Sequence, residues 1–493
     1  MRAHLGRFSH RKGTARLVDD DGKRLGRRDI LQAAAQYGLA VPTAYLMAGD
    51  IKTDAAPMTY GAADDPPPPG GEPKTRIVRD FADPYLELLR LTRDATEIEH
   101  ALLLQYLYAA FTVKPKYAKL VGTPGDQTAS TLVGVAIQEM QHLTIVNSFL
   151  AALGGAPNLM VQEFPFDPDI YPFTFNLEPL SRPTLAKYVY AEAPSGVLDS
   201  DEPKGGDVDF VNAVWSQLGP GARVNHLGSL YKQIISVTRE LQASGTSGLP
   251  DLTPWIAKLE AVMKQGEVDH YQFFRSVFMG THEAFNGQPD IWNLSPLDPG
   301  YPAMPIGTNP SAYVGHPSQI RNPTALSIAW LGNLHYWIAL SLLDLHFREK
   351  SAPATPPETG PGASDAMLAS AEIHMQGPLW SIGRHLPTLG VGLPFDPLGT
   401  GYASGRDSVW NRRFLLHLLG EAGRLEKKLD SKLPADFPAG VTEYTSAALR
   451  KEVQQSEVTR NQKAQMEAWW RERSKIGLPR RANPRLANQR SPQ

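Results

Sequence analysis

Two Glu-x-x-His pairs, Glu139 with His142 and Glu267 with His270, stand where helical periodicity asks for apolar residues. Around the first pair the stripe reads Leu132, Val135, Glu139, His142, Val146, Phe149 and Leu153; around the second it reads Ile256, Met263, Glu267, His270, Phe274 and Val277. Residues three apart on a helix lie about 60° apart on one face, so each pair turns a carboxylate and an imidazole into the same space. A third acid, Glu99, shares a face with Leu88, Ala95, Leu103, Tyr106 and Ala110. A lone carboxylate in a core is costly unless it protonates, pairs with a cation or binds a metal, and no Lys or Arg occupies these stripes. One Glu plus two Glu-x-x-His pairs is most of the ligand set of di-iron and di-manganese four-helix bundles. A buried, hydrogen-bonded carboxylate–imidazole network is the alternative.

The chain of 493 residues contains no cysteine, which excludes disulfide scaffolds, thiolate zinc sites, iron–sulfur clusters and thiol nucleophiles. A metal must then be held by His, Asp, Glu or backbone oxygen, a set suited to iron, as a pair or a single ion, or to manganese or zinc. Tyr106 and Gln138 stand a turn or less from the candidate ligands and are the candidate catalytic residues, to donate protons or to orient bound oxygen. Glu99 and Glu139 are 40 residues apart, one helical hairpin. A second hairpin of equal length ending at Glu267 would place its first ligand near position 227. His226 fits that spacing and is the candidate ligand there. Ser229 lacks the chemistry, and Glu240 has it but stands turns too late.

The elements that must position these groups are helices, because apolar residues recur at helical spacing and no run alternates with period two for long. The expected helices cover about 83–111, 128–153, 222–243, 252–280, 323–349, 363–386, 407–431 and 443–474. Long irregular stretches are expected at 154–221, with the aromatic, proline-rich run Phe164 to Phe175, and at 280–322; 351–363 reads as a disordered connection. The expected organisation is a basic, signal-like segment and proline-rich linker over 1–74, a four-helix bundle over 75–280, a C-terminal helical region over 281–475 and a basic tail over 476–493. Residues 1–28 carry nine Lys or Arg and end in Arg27-Arg28 before a weakly apolar run, like a twin-arginine export signal; a cytoplasmic chain with an amphipathic N-terminal helix is the other reading. No stretch of about 18 apolar residues predicts a membrane span. A net charge of −2 gives no reason to expect nucleic acid.

Several of these runs resemble a known family. Glu99-His100-Ala101-Leu102 with Gln105-Tyr106-Leu107-Tyr108-Ala109, and Gln138-Glu139-Met140-Gln141-His142-Leu143 running on to Gly154-Gly155-Ala156-Pro157, resemble the first two helices of the ferritin-like domain of the imine dimer synthases of violacein and indolocarbazole biosynthesis. Tyr190-Ala191-Glu192-Ala193-Pro194 resembles that family's Ile-Glu-x-Pro segment, and Gly266-Glu267 through Phe273 its fourth helix. Leu227 to Tyr231 lines up with its third helix, where Ser229 takes the place of the family's usual Glu. The resemblance implies an all-α fold, a ferritin-like four-helix bundle with long crossover loops extended by a C-terminal helical half. It also implies metal ligands at Glu99, Glu139, His142, Glu267 and His270, and an oxidative chemistry. The resulting expectation is a metal-dependent, di-iron-type oxidoreductase that uses oxygen or peroxide on a small organic substrate, an aromatic one if the Phe164 to Phe175 loop walls the pocket. An imine dimer synthase-like coupling enzyme of secondary metabolism and a non-catalytic metal-binding protein are the alternatives, and a homo-oligomer is compatible with each.

Overall fold

The computed structural model describes residues 8–9, 16–17, 77–159, 176–198, 207–218, 227–246, 248–351, 363–398, 408–455 and 468. It divides into two units, Met1–Glu72 and Pro73–Gln493. In the first, the described residues form a short antiparallel pairing of Phe8–Ser9 with Arg16–Leu17. The second unit is all-α, as expected. The Arg27-Arg28 segment, the Pro66 to Gly71 linker, the Phe164 to Phe175 run, His226, the 352–362 connection and the 476–493 tail lie outside the described residues.

Helix α1, Pro84–Thr112, starts where Asp83 accepts from the Leu86 amide at 2.9 Å and Pro84 occupies the first turn, an N-terminal signal of the strongest kind. Its 29 residues are buried almost all round from Ala95 onward, because neighbours pack on more than one of its faces. Helix α2, Leu132–Ala152, begins at Thr131, whose hydroxyl accepts from the Gly134 amide at 3.0 Å. It ends where Gly154 takes φ +87° and the Gly155 amide reaches back to the Leu150 carbonyl at 2.9 Å. Only glycine adopts that conformation without strain, so the Gly-Gly pair is a helix stop.

The segment expected to be irregular from 154 to 221 contains two helices, α3 (Arg182–Glu192) and α4 (Val208–Leu218). Helix α3 carries ordinary signals. Ser181 caps it through the Thr184 amide, Pro183 sits in its first turn, and Ala193 turns extended before Pro194. Leu185, Tyr188 and Val189 bury its inner face, and Glu192 is one turn further along that face. Eleven residues between proline-rich flanks give periodicity too short a window to register. Helix α5, Leu227–Ala243, follows.

The expected helix at 252–280 is broken in register rather than in direction. Helix α6, Thr253–Gln265, passes through a π turn at Gly266–His270 into helix α7, Tyr271–Phe278. A π turn holds more residues than an α turn, so residues three apart within it diverge by more than the α-helical spacing. That change falls on Glu267 and His270.

Helices α1, α2, α3, α5 and α7 enclose one apolar core, in which Leu88, Val146, Phe149, Leu185, Ile234 and Phe274 are fully buried. A second core lies among α8 (Pro323–Ser351), α9 (Ala363–His374), α10 (Trp380–His385), α11 (Ser408–Leu429) and α12 (Val441–Gln455). Leu104 and Phe111 of α1 belong to the second core, so that helix is shared by both. Over Pro323–Glu349, α8 is long and apolar enough to cross a membrane, but 89% of that apolar window is buried inside the protein. A central helix covered on all sides has the same composition.

Candidate metal centre

Helices α1, α2 and α3 and the π turn bring five side chains to one buried cluster. Glu99, Glu139 and His142 offer ligand atoms that all lie within 4.8 Å of one another, and so do Glu139, Glu192 and His270. Glu139 belongs to both groups. Its Oε2 is 3.2 Å from His142 Nδ1 and its Oε1 is 2.8 Å from His270 Nδ1. Glu99 Oε2 lies 3.5 Å from His142 Nδ1, and Glu192 Oε1 lies 3.7 Å from His270 Nδ1. The two imidazole rings stack at 5.4 Å between centroids. One carboxylate thus stands between two equivalent half-sites, each completed by a terminal carboxyl, Glu99 or Glu192, and an imidazole.

The surroundings repeat the same symmetry. Tyr231 donates to Glu99, and Tyr106 donates to Glu192 at 2.6 Å. His142 Nε2 meets Gln265 Oε1 at 2.9 Å, and His270 Nε2 meets Gln138 Oε1 at 2.8 Å. Each terminal carboxylate thus has a phenol behind it and each imidazole an amide oxygen. These outer contacts hold the rings with Nδ1 turned toward the shared carboxylate, the orientation a metal ligand needs.

What the outer contacts leave over is the test of whether a metal fits. Glu99 Oε2, Glu139 Oε1, Glu192 Oε2 and His270 Nδ1 are buried and have no hydrogen-bond partner among the described residues. His270 Nδ1 and Glu139 Oε1 approach to 2.8 Å without the alignment of a hydrogen bond. Each unsatisfied buried atom costs about 1–3 kcal/mol, and native cores contain few. Cations seated in the two groups would take up ligand atoms that the protein leaves without partners, so these residues fit one or two ions.

Burial pushes the Glu99 carboxyl up to about 8, reinforced by the Glu139 charge, and shifts Glu192 upward for the same two reasons. Burial also acts to raise Glu139, but the charges of His270 and His142 outweigh it and hold this carboxyl well below the usual range. On the imidazoles burial acts downward. The Glu139 charge, with the other carboxylates close by, overcomes it, lifting His142 well above its ordinary value and His270 to about 9. Without metal the centre is therefore one carboxylate anion between two imidazolium cations, flanked by a Glu99 carboxyl that holds its proton at neutral pH.

The structure does not bring all the expected ligands together. Glu267 points away from the cluster, 18% exposed, and its Oε1 pairs with Lys232 Nζ at 3.2 Å. The π turn is the cause, since it rotates Glu267 off the face that His270 keeps. Gly228 makes room for it there: a Cβ on Gly228 would stand 2.1 Å from Glu267 Oε1. Glu240, considered for the third helix, is a surface partner of Arg79 at 2.7 Å. Ser229 is buried on α5 and belongs to neither carboxylate–histidine group. His226 lies outside the described residues.

The further carboxylate that the fold brings to the cluster is Glu192, which the spacing argument missed because it looked near position 227. The signal in the sequence was the Tyr190-Ala191-Glu192-Ala193-Pro194 run, and the structure adds two more. Glu192 is the last residue of α3, where the helix dipole disfavours a negative charge, and it is nonetheless buried. A residue that violates both local rules is placed for function rather than stability. Gly266 completes its seat, because a Cβ there would come within 2.8 Å of Glu192 Oε2. Tyr106 touches the centre through Glu192, and burial pushes its phenol well above its usual value, so it stays a neutral donor.

Comparison with known proteins agrees with this geometry. A family model described as Ferritin-like matches residues 92–278, which include all five clustered side chains. Dichlorochromopyrrolate synthase of Lentzea aerocolonigenes is 25% identical to the chain, over 53% of this chain and 31% of that protein. The 2-imino-3-(indol-3-yl)propanoate dimerase of Chromobacterium violaceum is 32% identical, over 26% of this chain and 14% of that protein. The chain thus matches less than a third of the length of these curated relatives. No solved structure matches. The motif resemblance, the helical bundle with its shared glutamate and the family match fall on the same stretch, and residues 92–278 are a Ferritin-like domain by their match to that family model, in a chain similar to those two synthases.

Proposed function

We propose that the chain is a metal-dependent oxidoreductase of the di-iron type, acting on a small organic substrate with oxygen or peroxide as oxidant. Glu99, Glu139 and His142 would hold one ion and Glu139, Glu192 and His270 the other. The observation that supports this reading is the two buried carboxylate–histidine groups that share Glu139, with Glu99, Glu139, Glu192 and His270 each keeping an atom that has no hydrogen-bond partner among the described residues. A pair of iron or manganese ions bound there supplies electrons for activating oxygen or peroxide.

The chain's own residues supply the rest. Tyr231 and Tyr106 hold the terminal carboxylates in place from behind. The fully buried aromatic wall of Tyr106, Tyr188 and Phe274 keeps water from that side of the centre. Glu267 stands outside the carboxylate–histidine groups, so the centre would have three carboxylates to hold metal where the usual set has four. The missing carboxylate would leave room for an exogenous oxygen donor. Coupling of imines is the second reading, favoured by the similarity to a dimerase of an indolyl imino acid. Elemental analysis of protein purified without chelator, followed by oxygen exposure of the reduced protein, tests the proposal. Iron or manganese near stoichiometry with a spectral change on oxygen is expected. Less than about a tenth of an equivalent of metal, or bound metal inert to both oxygen and peroxide, would refute it.

A further inference from the structure

We propose that Gln138 is a positioning residue that decides which nitrogen of His270 faces the metal. This inference rests on the metal reading above, and it follows from a chain of donors and acceptors that admits one assignment. Gln138 Nε2 lies 2.8 Å from the Gln127 backbone carbonyl. A carbonyl only accepts, so the amide NH2 must face it and the amide oxygen must face the other way. That oxygen is 2.8 Å from His270 Nε2. An amide oxygen also only accepts, so His270 Nε2 carries a hydrogen. The nitrogen left for a metal is Nδ1, which is the atom 2.8 Å from Glu139 Oε1 and without a hydrogen bond of its own.

The start of this relay is fixed independently of the centre. Asp126 Oδ1 accepts from the amide and hydroxyl of Thr128, and its Oδ2 accepts from Thr131 Oγ1 at 2.8 Å. Thr131 in turn caps α2. The loop that presents the Gln127 carbonyl is therefore tied to the first turn of the helix that carries Gln138 and Glu139. Through this arrangement α2 supplies the shared carboxylate with one residue and, with the preceding one, orients the imidazole of the opposite half-site. An amide, unlike the carboxylate often found behind a metal-bound histidine, gives the ring a hydrogen bond without adding charge, and so leaves it a weaker electron donor.

Zinc, which is diamagnetic, is the probe. In zinc-loaded protein with 15N-labelled histidine, long-range 1H–15N spectra should show His270 protonated at Nε2 and metal-bound at Nδ1. Gln138→Leu, which removes the acceptor, should weaken zinc binding by about 10–100-fold. Gln138→Glu keeps an acceptor for His270 but loses the donor to Gln127, and it should bind zinc at least as tightly as the wild type. The inference is overturned by metal at His270 Nε2, by unchanged affinity in Gln138→Leu, or by Gln138→Glu weakening as much as Gln138→Leu. The last result would assign the effect to the Gln127 link alone. A wild-type chain that takes up no zinc, iron or manganese would refute the metal reading itself, and this inference with it, before any variant is compared.

Discussion

Replacing Glu139 by glutamine in the metal-free chain removes the one anion that lies between His142 and His270. The magnitude follows from the imidazoles. His270 is lifted from 6.5 to about 9 and is fully buried, so solvent screening takes little from the effect. At about 1.4 kcal/mol per pKa unit, that shift corresponds to roughly 3 kcal/mol of stability at pH 6. His142 is shifted the same way. Removing one partner of a buried pair costs about 3–5 kcal/mol, and the variant should lose about that much near pH 6. The pH dependence has a definite sign. A group whose pKa is raised in the folded state contributes stability that is fully present below its unfolded value and is lost as pH rises through the folded value. The gap between wild type and Glu139→Gln should therefore be largest near pH 6 and shrink through about pH 9, where the wild type's imidazoles lose their charge. Urea unfolding of chelator-treated protein from pH 6 to 10 measures it. A gap below about 1 kcal/mol at pH 6, or one of constant size across that range, would refute the picture of an anion between two cations.

The same protons compete with metal. Because His270 titrates at about 9 and Glu99 at about 8, metal affinity should rise steeply from pH 6 to 9 with release of protons; isothermal titration in buffers of different ionisation enthalpy reads this, and a pH-independent affinity would count against it. Gly266→Ala should push the Glu192 carboxylate out of its seat, since the added Cβ falls 2.8 Å from Oε2. The displaced atom is the end of a flexible side chain, so stability should fall by no more than about 1–3 kcal/mol while one half-site loses most of its affinity; an unchanged metal titration would show that the glycine is not needed there. Tyr106→Phe should leave Glu192 without its donor and cost about 1–3 kcal/mol by urea unfolding, and a change within error would contradict the role given to that phenol.

The parts of this fold that were legible in the sequence are those with long periods. Helices α1, α2, α5 and α8 lie within a few residues of where apolar spacing puts them, and Glu99, Glu139, His142 and His270 meet in one cluster because each stands on such a stripe. Helix α3 escaped because eleven residues bounded by proline hold barely three turns, and its capping residues, Ser181 and Pro183, were hidden in a stretch dominated by turn formers. Glu267 was misplaced for a different reason. Spacing of three implies one face only while the helix stays α, and nothing in Gly266-Glu267-Val268-Asp269-His270 marks it as a π turn. The pattern placed Glu267 in the cluster, where the structure has Glu192.

Metal stoichiometry in Glu192→Ala and Glu267→Ala, measured side by side with the wild type by elemental analysis, tests that assignment most directly. With the wild type holding about two equivalents, Glu192→Ala should fall to about one and Glu267→Ala should stay at about two. A Glu267→Ala protein that loses metal while Glu192→Ala keeps its full complement would contradict the centre described here.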